Sequence, residues 1–97
     1  MVLHLGEDTV VSMKNVIAVL DAKTACLSRI NREFLKTAEE EGFIKKVSNE
    51  EPKTIVLAEV NKKSVIYLSP ISSTTLLKRS TFIEKIALDR KNTEGNK

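Results

Sequence analysis

The chain has 97 residues, with 16 Lys and Arg against 13 Asp and Glu and a formal net charge of +3. This length argues for one domain with a thin core, because so small a domain buries only about 60–65% of the surface that its unfolded chain exposes. The absence of Trp, with three Phe and one Tyr, requires an aliphatic core. The single cysteine, Cys26, excludes an intrachain disulfide and fits a reduced, cytoplasmic setting. We predict no signal peptide and no membrane-spanning segment.

The chain opens with a predicted hairpin. Val2–Leu5 and Thr9–Ser12 have the composition of short strands, and the turn between them contains Gly6, which supplies a backbone angle that other residues resist. His4 alternates with apolar neighbours and should point away from their face. No Cys/His/Asp cluster accompanies it, so we predict no metal site.

The next segment is an apolar run, Val16–Leu20, closed by Asp21. Five consecutive apolar residues, mostly β-branched, predict a central strand that is buried on both faces, with a buried helix segment as the alternative. In so small a domain, a neighbouring subunit is one candidate cover for such a strand.

An amphipathic helix is predicted over Ser28–Glu41, with Gly42 as its C-terminal stop. Its apolar residues recur at spacings of three and four: Leu27, Ile30, Phe34 and Ala38. The triplet Glu39-Glu40-Glu41 opposes the helix dipole in the last turn. It is either a solvated face or an acidic surface turned away from DNA.

The second half of the chain is predicted to be mostly strand. The segments are a short strand Phe43–Val47, a loop Ser48–Pro52, a strand Thr54–Val60 and a strand Ser64–Leu68, the last two joined as an antiparallel hairpin by a polar tip, Asn61–Lys63. Pro70 should end the last strand, and hydroxyl side chains at Ser72, Ser73 and Thr74 are natural N-caps for a final helix. The predicted apolar face of that helix consists of Leu76, Ile83 and Ala87, flanked by Leu77 and Ile86.

These elements predict an α+β fold with a small, mostly antiparallel sheet of four to five strands and two helices. We expect a single domain over residues 1–88 and a disordered tail over residues 89–97, which are charged and lack apolar anchors. Three scattered glycines make no phosphate loop, and the single His has no plausible nucleophile. We therefore predict no enzyme, no cofactor and no small-molecule substrate.

Five segments in order resemble one family. They are His4–Ser12, Asp21–Lys23, Glu33–Leu35, Pro52–Val56 and Tyr67–Arg79, the last reading YLSPISSTTLLKR. Together they resemble the bacterial extracellular matrix regulator family (RemA/RemB type, nearer to RemB). The resemblance implies a small α+β fold, a ring-shaped homo-oligomer and a DNA-binding activator of extracellular matrix (biofilm) genes.

Basic residues are the candidate DNA contacts. The resemblance implies contacts from two loops, near Lys14 and near Lys53, which precede predicted strands and should lie at sheet ends. Residues 1–74 are balanced in charge, and the basic excess lies in the last helix and tail. Lys78, Arg79 and Lys85 are further candidates there. Binding would rest on phosphates and not on base readout.

A non-DNA-binding oligomeric scaffold or protein-interaction module is the alternative function. Glu50 and Glu51 favour it, because they would repel a phosphate backbone near Lys53. Under either function, Val16–Leu20 and the Tyr67–Leu77 junction are candidates for core and subunit contact.

Overall fold

The computed structural model describes residues 2–79, and the structural statements below concern these residues. The strands are β1 (Val2–Gly6), β2 (Thr9–Ser12), β3 (Val16–Asp21), β4 (Ile44–Lys46), β5 (Thr54–Val60) and β6 (Lys63–Ser69). The helices are a 3-10 turn (Met13–Asn15), α1 (Ala22–Ala25), α2 (Arg29–Glu40) and α3, which begins at residue 73 and is described as far as residue 79. The predicted α+β class is confirmed, with six strands divided between two sheets and one more short helix than we expected.

The two sheets form separate layers. β1 and β2 make the predicted antiparallel hairpin, and the other four strands form a sheet in the order β3-β5-β6-β4. Only the β4–β6 pair is parallel. Gly6 has φ of +123°, and a Cβ added there would lie 3.2 Å from Val47 and 3.3 Å from Pro70. Glycine is required at this turn for both its conformation and the close approach.

One face of the four-stranded sheet, here called the hairpin face, packs against the β1–β2 hairpin and α3. Its core consists of Leu3, Leu5, Val11, Val47, Val56, Ala58, Tyr67 and Leu76. Leu76 is fully buried, so α3 is joined to this core through the residue predicted for it. Ser72 caps α3, because its Oγ accepts from the Thr75 N–H at 3.2 Å.

The opposite face, here called the α2 face, carries α1 and α2. Its core consists of Ala22, Ala25, Ala38, Ile55 and Ile66, with Leu35, Ile44, Leu57 and Leu68 partly buried against it. The two cores alternate along β5 and β6, as expected for a sheet covered on both sides. Ser28 caps α2, and Gly42 follows its C-cap with φ of +81°, at the stop that the sequence predicted.

One packing prediction is wrong. Among the described strands, β3 lies at the edge of its sheet and pairs with β5, so it is not central, and Ile17 is 64% exposed. The predicted apolar stripe of α2 is divided: Ala38 is buried in the core of the α2 face, whereas Leu27 and Ile30 are 78% and 77% exposed. The sequence pattern located both elements, but it does not show which apolar residues the rest of the fold covers.

The remaining predictions on the second half of the chain are confirmed. β4 lies within the predicted Phe43–Val47 segment, β5 has the predicted bounds, and β6 ends immediately before Pro70. The last residues of the predicted helix and of the domain, and the tail over residues 89–97, lie outside the described residues.

Candidate nucleic-acid interface

Lys53 lies at the start of β5, and its backbone is held on both sides. Its N–H donates to the Ser69 carbonyl at 2.8 Å, and its carbonyl accepts from the Ala22 N–H at 3.0 Å. The side chain itself is exposed. Backbone hydrogen bonds to β6 and α1 therefore fix the position of Lys53 at the start of β5, while its ammonium group stays in solvent.

The surroundings of Lys53 are acidic. Glu50 and Glu51 are exposed in the loop before it, and Asp21 ends β3 beside Thr54. The contact of Gly6 with Val47 and Pro70 brings the turn that contains Glu7 and Asp8 to the same end of the sheet. This end is here called the acidic end, with the members Glu7, Asp8, Asp21, Glu50 and Glu51.

Asp21 organises the acidic end. Its Oδ2 accepts hydrogen bonds from the Thr24 N–H and the Thr24 hydroxyl, both at 2.9 Å, and these bonds lower the pKa of the Asp21 carboxyl, the backbone bond most. The Ser73 hydroxyl donates to Oδ1 at 3.5 Å. One carboxylate thus caps α1 and contacts the beginning of α3.

Lys14 lies at the other end of the sheet. It is exposed in the 3-10 turn before β3, and β3 runs antiparallel to β5 with Val16 opposite Ala58 and Asp21 opposite Thr54. Seven residues of β5 separate the two ends, which corresponds to roughly 20 Å between Lys14 and Lys53. Both lysines lie at sheet ends, as predicted, but one protomer does not bring them together.

Two lysines that the sequence analysis left in a polar tip join Lys14. The β5–β6 turn pairs Val60 with Lys63 and places Asn61 and Lys62 at its centre, with φ of 52° and 66°. Positive φ at both central residues is the pattern of a type I′ turn, where Gly is preferred at the second position. Lys62 and Lys63 are exposed. Lys14, Lys62 and Lys63 are here called the lysine end. Its acidic neighbours are Glu59 on β5 and Glu41, which lines a groove together with Ser64 beside Lys63.

The last helix, α3, carries weaker candidates for DNA contact. Lys78 and Arg79 are exposed, and Arg79 Nη1 donates to the His4 carbonyl oxygen at 3.2 Å. Part of the Arg79 guanidinium therefore ties α3 to β1. Lys85 lies outside the described residues.

Comparison with known proteins identifies the family. The family model described as RemA-like, extracellular matrix regulatory protein A-like, matches residues 2–79. The chain belongs to the RemA-like family. The chain is also 41% identical to extracellular matrix regulatory protein B of Bacillus subtilis (strain 168) over 86 residues, which cover 89% of this chain and 98% of that protein. The resemblance found in the sequence is confirmed.

The RemA-like match covers every described element, including both sheet ends. Within residues 2–79, no group of three or more His, Cys, Asp and Glu is placed to hold a metal ion. None of the helices in that range is long and apolar enough to cross a membrane. Cys26 is a free thiol and is exposed.

The lysine end of this RemA-like chain could not be read from the sequence. Lys62 and Lys63 were visible as a hairpin tip, but their proximity to Lys14 depends on which strand β3 pairs with. Knowledge that Val16–Leu20 pairs antiparallel with Thr54–Val60 would have shown that Lys14 lies near Lys62 and Lys63. No local pattern specifies that pairing.

Proposed function

We propose that the chain is a DNA-associated regulator of extracellular matrix (biofilm) genes that acts as a ring-shaped homo-oligomer and contacts DNA through phosphates. Membership of the RemA-like family and similarity to a protein named extracellular matrix regulatory protein B support the regulatory role. The biofilm genes, DNA and ring in this proposal come from the resemblance.

The observation that carries the DNA contact is the composition of the lysine end. Three exposed lysines project from one end of the sheet, and the strand register separates them from Glu50 and Glu51 by the length of β5. Lysine ammonium groups bind phosphates as point charges and release counterions, so such a surface binds DNA without reading its sequence.

Lys53 is a second candidate contact, of a different character. Its ammonium group is exposed, but Glu50 and Glu51 in the same loop weaken its attraction for a phosphate backbone. Lys78, Arg79 and Lys85 remain secondary candidates. We therefore take the lysine end as the main DNA contact in this proposal, and Lys53 as the position for comparison.

Few lysines per subunit suffice if the subunits act together. A ring repeats the lysine end around its rim, and linked weak contacts raise avidity by roughly 10²–10⁴ when geometry lets them engage at once. DNA that bends along such a rim would be selected by its deformability and not by its base edges.

A titration on DNA at two salt concentrations tests this proposal. A duplex from a matrix-gene promoter and a scrambled duplex of equal composition are titrated with the full chain at about 50 mM and 200 mM salt. If the assembly neutralises six or more phosphates, affinity should fall by roughly 10³-fold or more between the two conditions. A comparable fall on the scrambled duplex is expected, because phosphates carry no sequence information.

Two charge reversals identify the contacting end. Lys62→Glu should weaken binding and reduce its salt dependence, whereas Lys53→Glu should change binding less, because Lys53 already lies among carboxylates. Light scattering verifies that both variants keep the wild-type assembly size. If Lys53→Glu abolishes binding while Lys62→Glu leaves it intact, the lysine end is not the contact.

The second candidate function is a scaffold that binds protein and no DNA. The acidic end and the bare apolar surface of α2 favour it, since neither suits a polyanion. Absence of any DNA shift at 50 mM salt would support the scaffold and refute the DNA proposal.

A further inference from the structure

A large exposed surface of the described chain is apolar. Leu27 lies just before α2, and Ile30 and Phe34 lie on its outer side; they are 78%, 77% and 54% exposed. Ile17 on β3 and Phe43 after α2 are 64% and 48% exposed. All five belong to the α2 face of the sheet or its border.

Part of this surface is concave. A groove of about 290 Å³ lies between α2 and the edge strand β3, and Ile17, Phe34, Phe43 and Leu57 are among its lining residues. Glu41 also lines it, as the C-cap of α2 and the last residue of the acidic triplet in its final turn. The groove runs from α2 over residues of β5 and β6 to Ile17 on the edge strand β3.

Another part is convex. Leu27, just before the N-cap of α2, and Ile30, in its first turn, are here called the ridge. Arg32 lies beside them, where its Nη1 donates to the Cys26 carbonyl oxygen at 2.7 Å. Arg29 adds a second cation, paired with Glu33 at 3.0 Å. The ridge is thus apolar with a basic border, and the groove is apolar with an acidic one.

The size of this surface fits the apolar centre of a protein–protein contact. With about 150–250 Å² for a fully exposed large side chain, the figure for aromatic residues, the five exposed fractions amount to roughly 500–800 Å², of which the ridge and the groove each supply about half. If ridge and groove are opposite sides of one contact, each side contributes roughly 250–400 Å² of the about 800 Å² that a standard interface buries on each partner. The polar and charged side chains around the ridge and the groove then supply the remaining area.

We infer that the ridge of one copy packs into the groove of the next. The two sides of this contact are different residues, which makes it heterologous, the type of contact that closes into rings. Basic Arg29 and Arg32 then approach Glu39, Glu40 and Glu41 of the neighbouring copy. That approach gives the acidic triplet a role. The helix dipole does not explain it, because the dipole disfavours negative charge at the C-terminal end of α2. The inference rests on the proposed homo-oligomer and names its contact surface.

α3 packs on the hairpin face, where Leu76 is buried with Val56 and Tyr67, and Arg79 bonds to His4 on β1. The chain leaves the described region on the side of the sheet opposite the groove. A second copy is therefore the occupant that the geometry favours.

Charged substitutions in the full-length chain test the contact. Ile30→Glu disrupts the ridge, Ile17→Glu disrupts the groove, and Val10→Glu is the matched control, because Val10 is 50% exposed on β2 outside this surface. All three positions are half-exposed or more, so circular dichroism and thermal unfolding should match the wild type. Native mass spectrometry should then show assembled wild-type and Val10→Glu protein, and single subunits for the other two.

Mixing the two disrupted variants is the decisive measurement. The Ile30→Glu protein keeps an intact groove and the Ile17→Glu protein an intact ridge, so an equimolar mixture should form a heterodimer that neither variant forms alone. A mixture that stays monomeric overturns the inference, as does assembly of either single variant to the wild-type size. A wild-type protein that stays monomeric overturns it as well, and the DNA titration of that same sample reports the proposed function separately.

Discussion

Ser69 offers a direct measure of how the end of the sheet is joined to the hairpin. Its side chain is fully buried, and its hydroxyl donates to the Leu5 carbonyl oxygen at 2.6 Å and accepts from the Ile71 N–H at 3.1 Å. Ser69→Ala removes both hydrogen bonds and leaves the Leu5 carbonyl, in a fully buried residue, without this partner. The substitution therefore tests the link between β6, β1 and the segment that leads into α3.

The magnitude follows from the two lost bonds. A buried polar group left unsatisfied costs about 1–3 kcal/mol, and the more exposed Ile71 N–H should cost less than the Leu5 carbonyl. We expect the free energy of unfolding to fall by about 2–4 kcal/mol, out of the roughly 5–15 kcal/mol typical of a domain. At about 4–8 °C per kcal/mol, the melting temperature should fall by roughly 10–25 °C.

Urea unfolding followed by circular dichroism measures this effect. Wild type, Ser69→Ala and Ser64→Ala are compared at one protein concentration, because assembly makes apparent stability depend on concentration. Ser64 lies exposed on the same strand, so its substitution should change the free energy by no more than about 0.5 kcal/mol. Equal midpoints for Ser69→Ala and Ser64→Ala would show that the buried hydroxyl does not hold the junction.

Three further predictions use the same unfolding measurement. Leu76→Ala should lower the free energy of unfolding by about 2–5 kcal/mol, because Leu76 is fully buried between α3 and the hairpin face; a smaller loss would mean that α3 is only loosely packed. Lys62→Gly should raise it by about 0.5–1 kcal/mol by relieving the positive φ, while DNA affinity falls with the lost charge; destabilisation would contradict the type I′ assignment. The pKa of Asp21 is lowered from its usual value of 3.8 in the folded state by the Thr24 N–H and hydroxyl, so its contribution is present above pH 3.8 and is lost as the pH falls through the lower folded value. Asp21→Asn should therefore show a weaker loss of stability over that acid range than the wild type, and identical pH profiles would refute the cap.

The sequence predictions were correct where they depended on residues close together in the chain. Periodicity located α2, strand composition located β5, hydroxyl residues located the cap of α3 at Ser72, and Gly6 indicated a turn that requires positive φ. These features depend on residues a few positions apart, and their physical causes act within one turn or one strand. The family resemblance belongs to the same group, because it was carried by short segments.

The candidate site was predicted only in part. Lys14 and Lys53 were placed correctly at sheet ends, but the partnership of Lys14 with Lys62 and Lys63 was missed. The error has one cause. Val16 and Ala58 are paired across 42 positions of sequence, and the identity of that partner decides which loops meet.

By itself, then, the sequence determined the main strands and helices with their approximate ends, and the family. Only the tertiary structure decided the strand order, which put β3 at an edge with a bare face and separated a lysine end from an acidic end. The physical reason is that strand formation depends on local side-chain chemistry, whereas strand order and the cover over each apolar face depend on contacts between distant segments. In this chain, those distant contacts determine where the lysine end and the apolar ridge and groove lie.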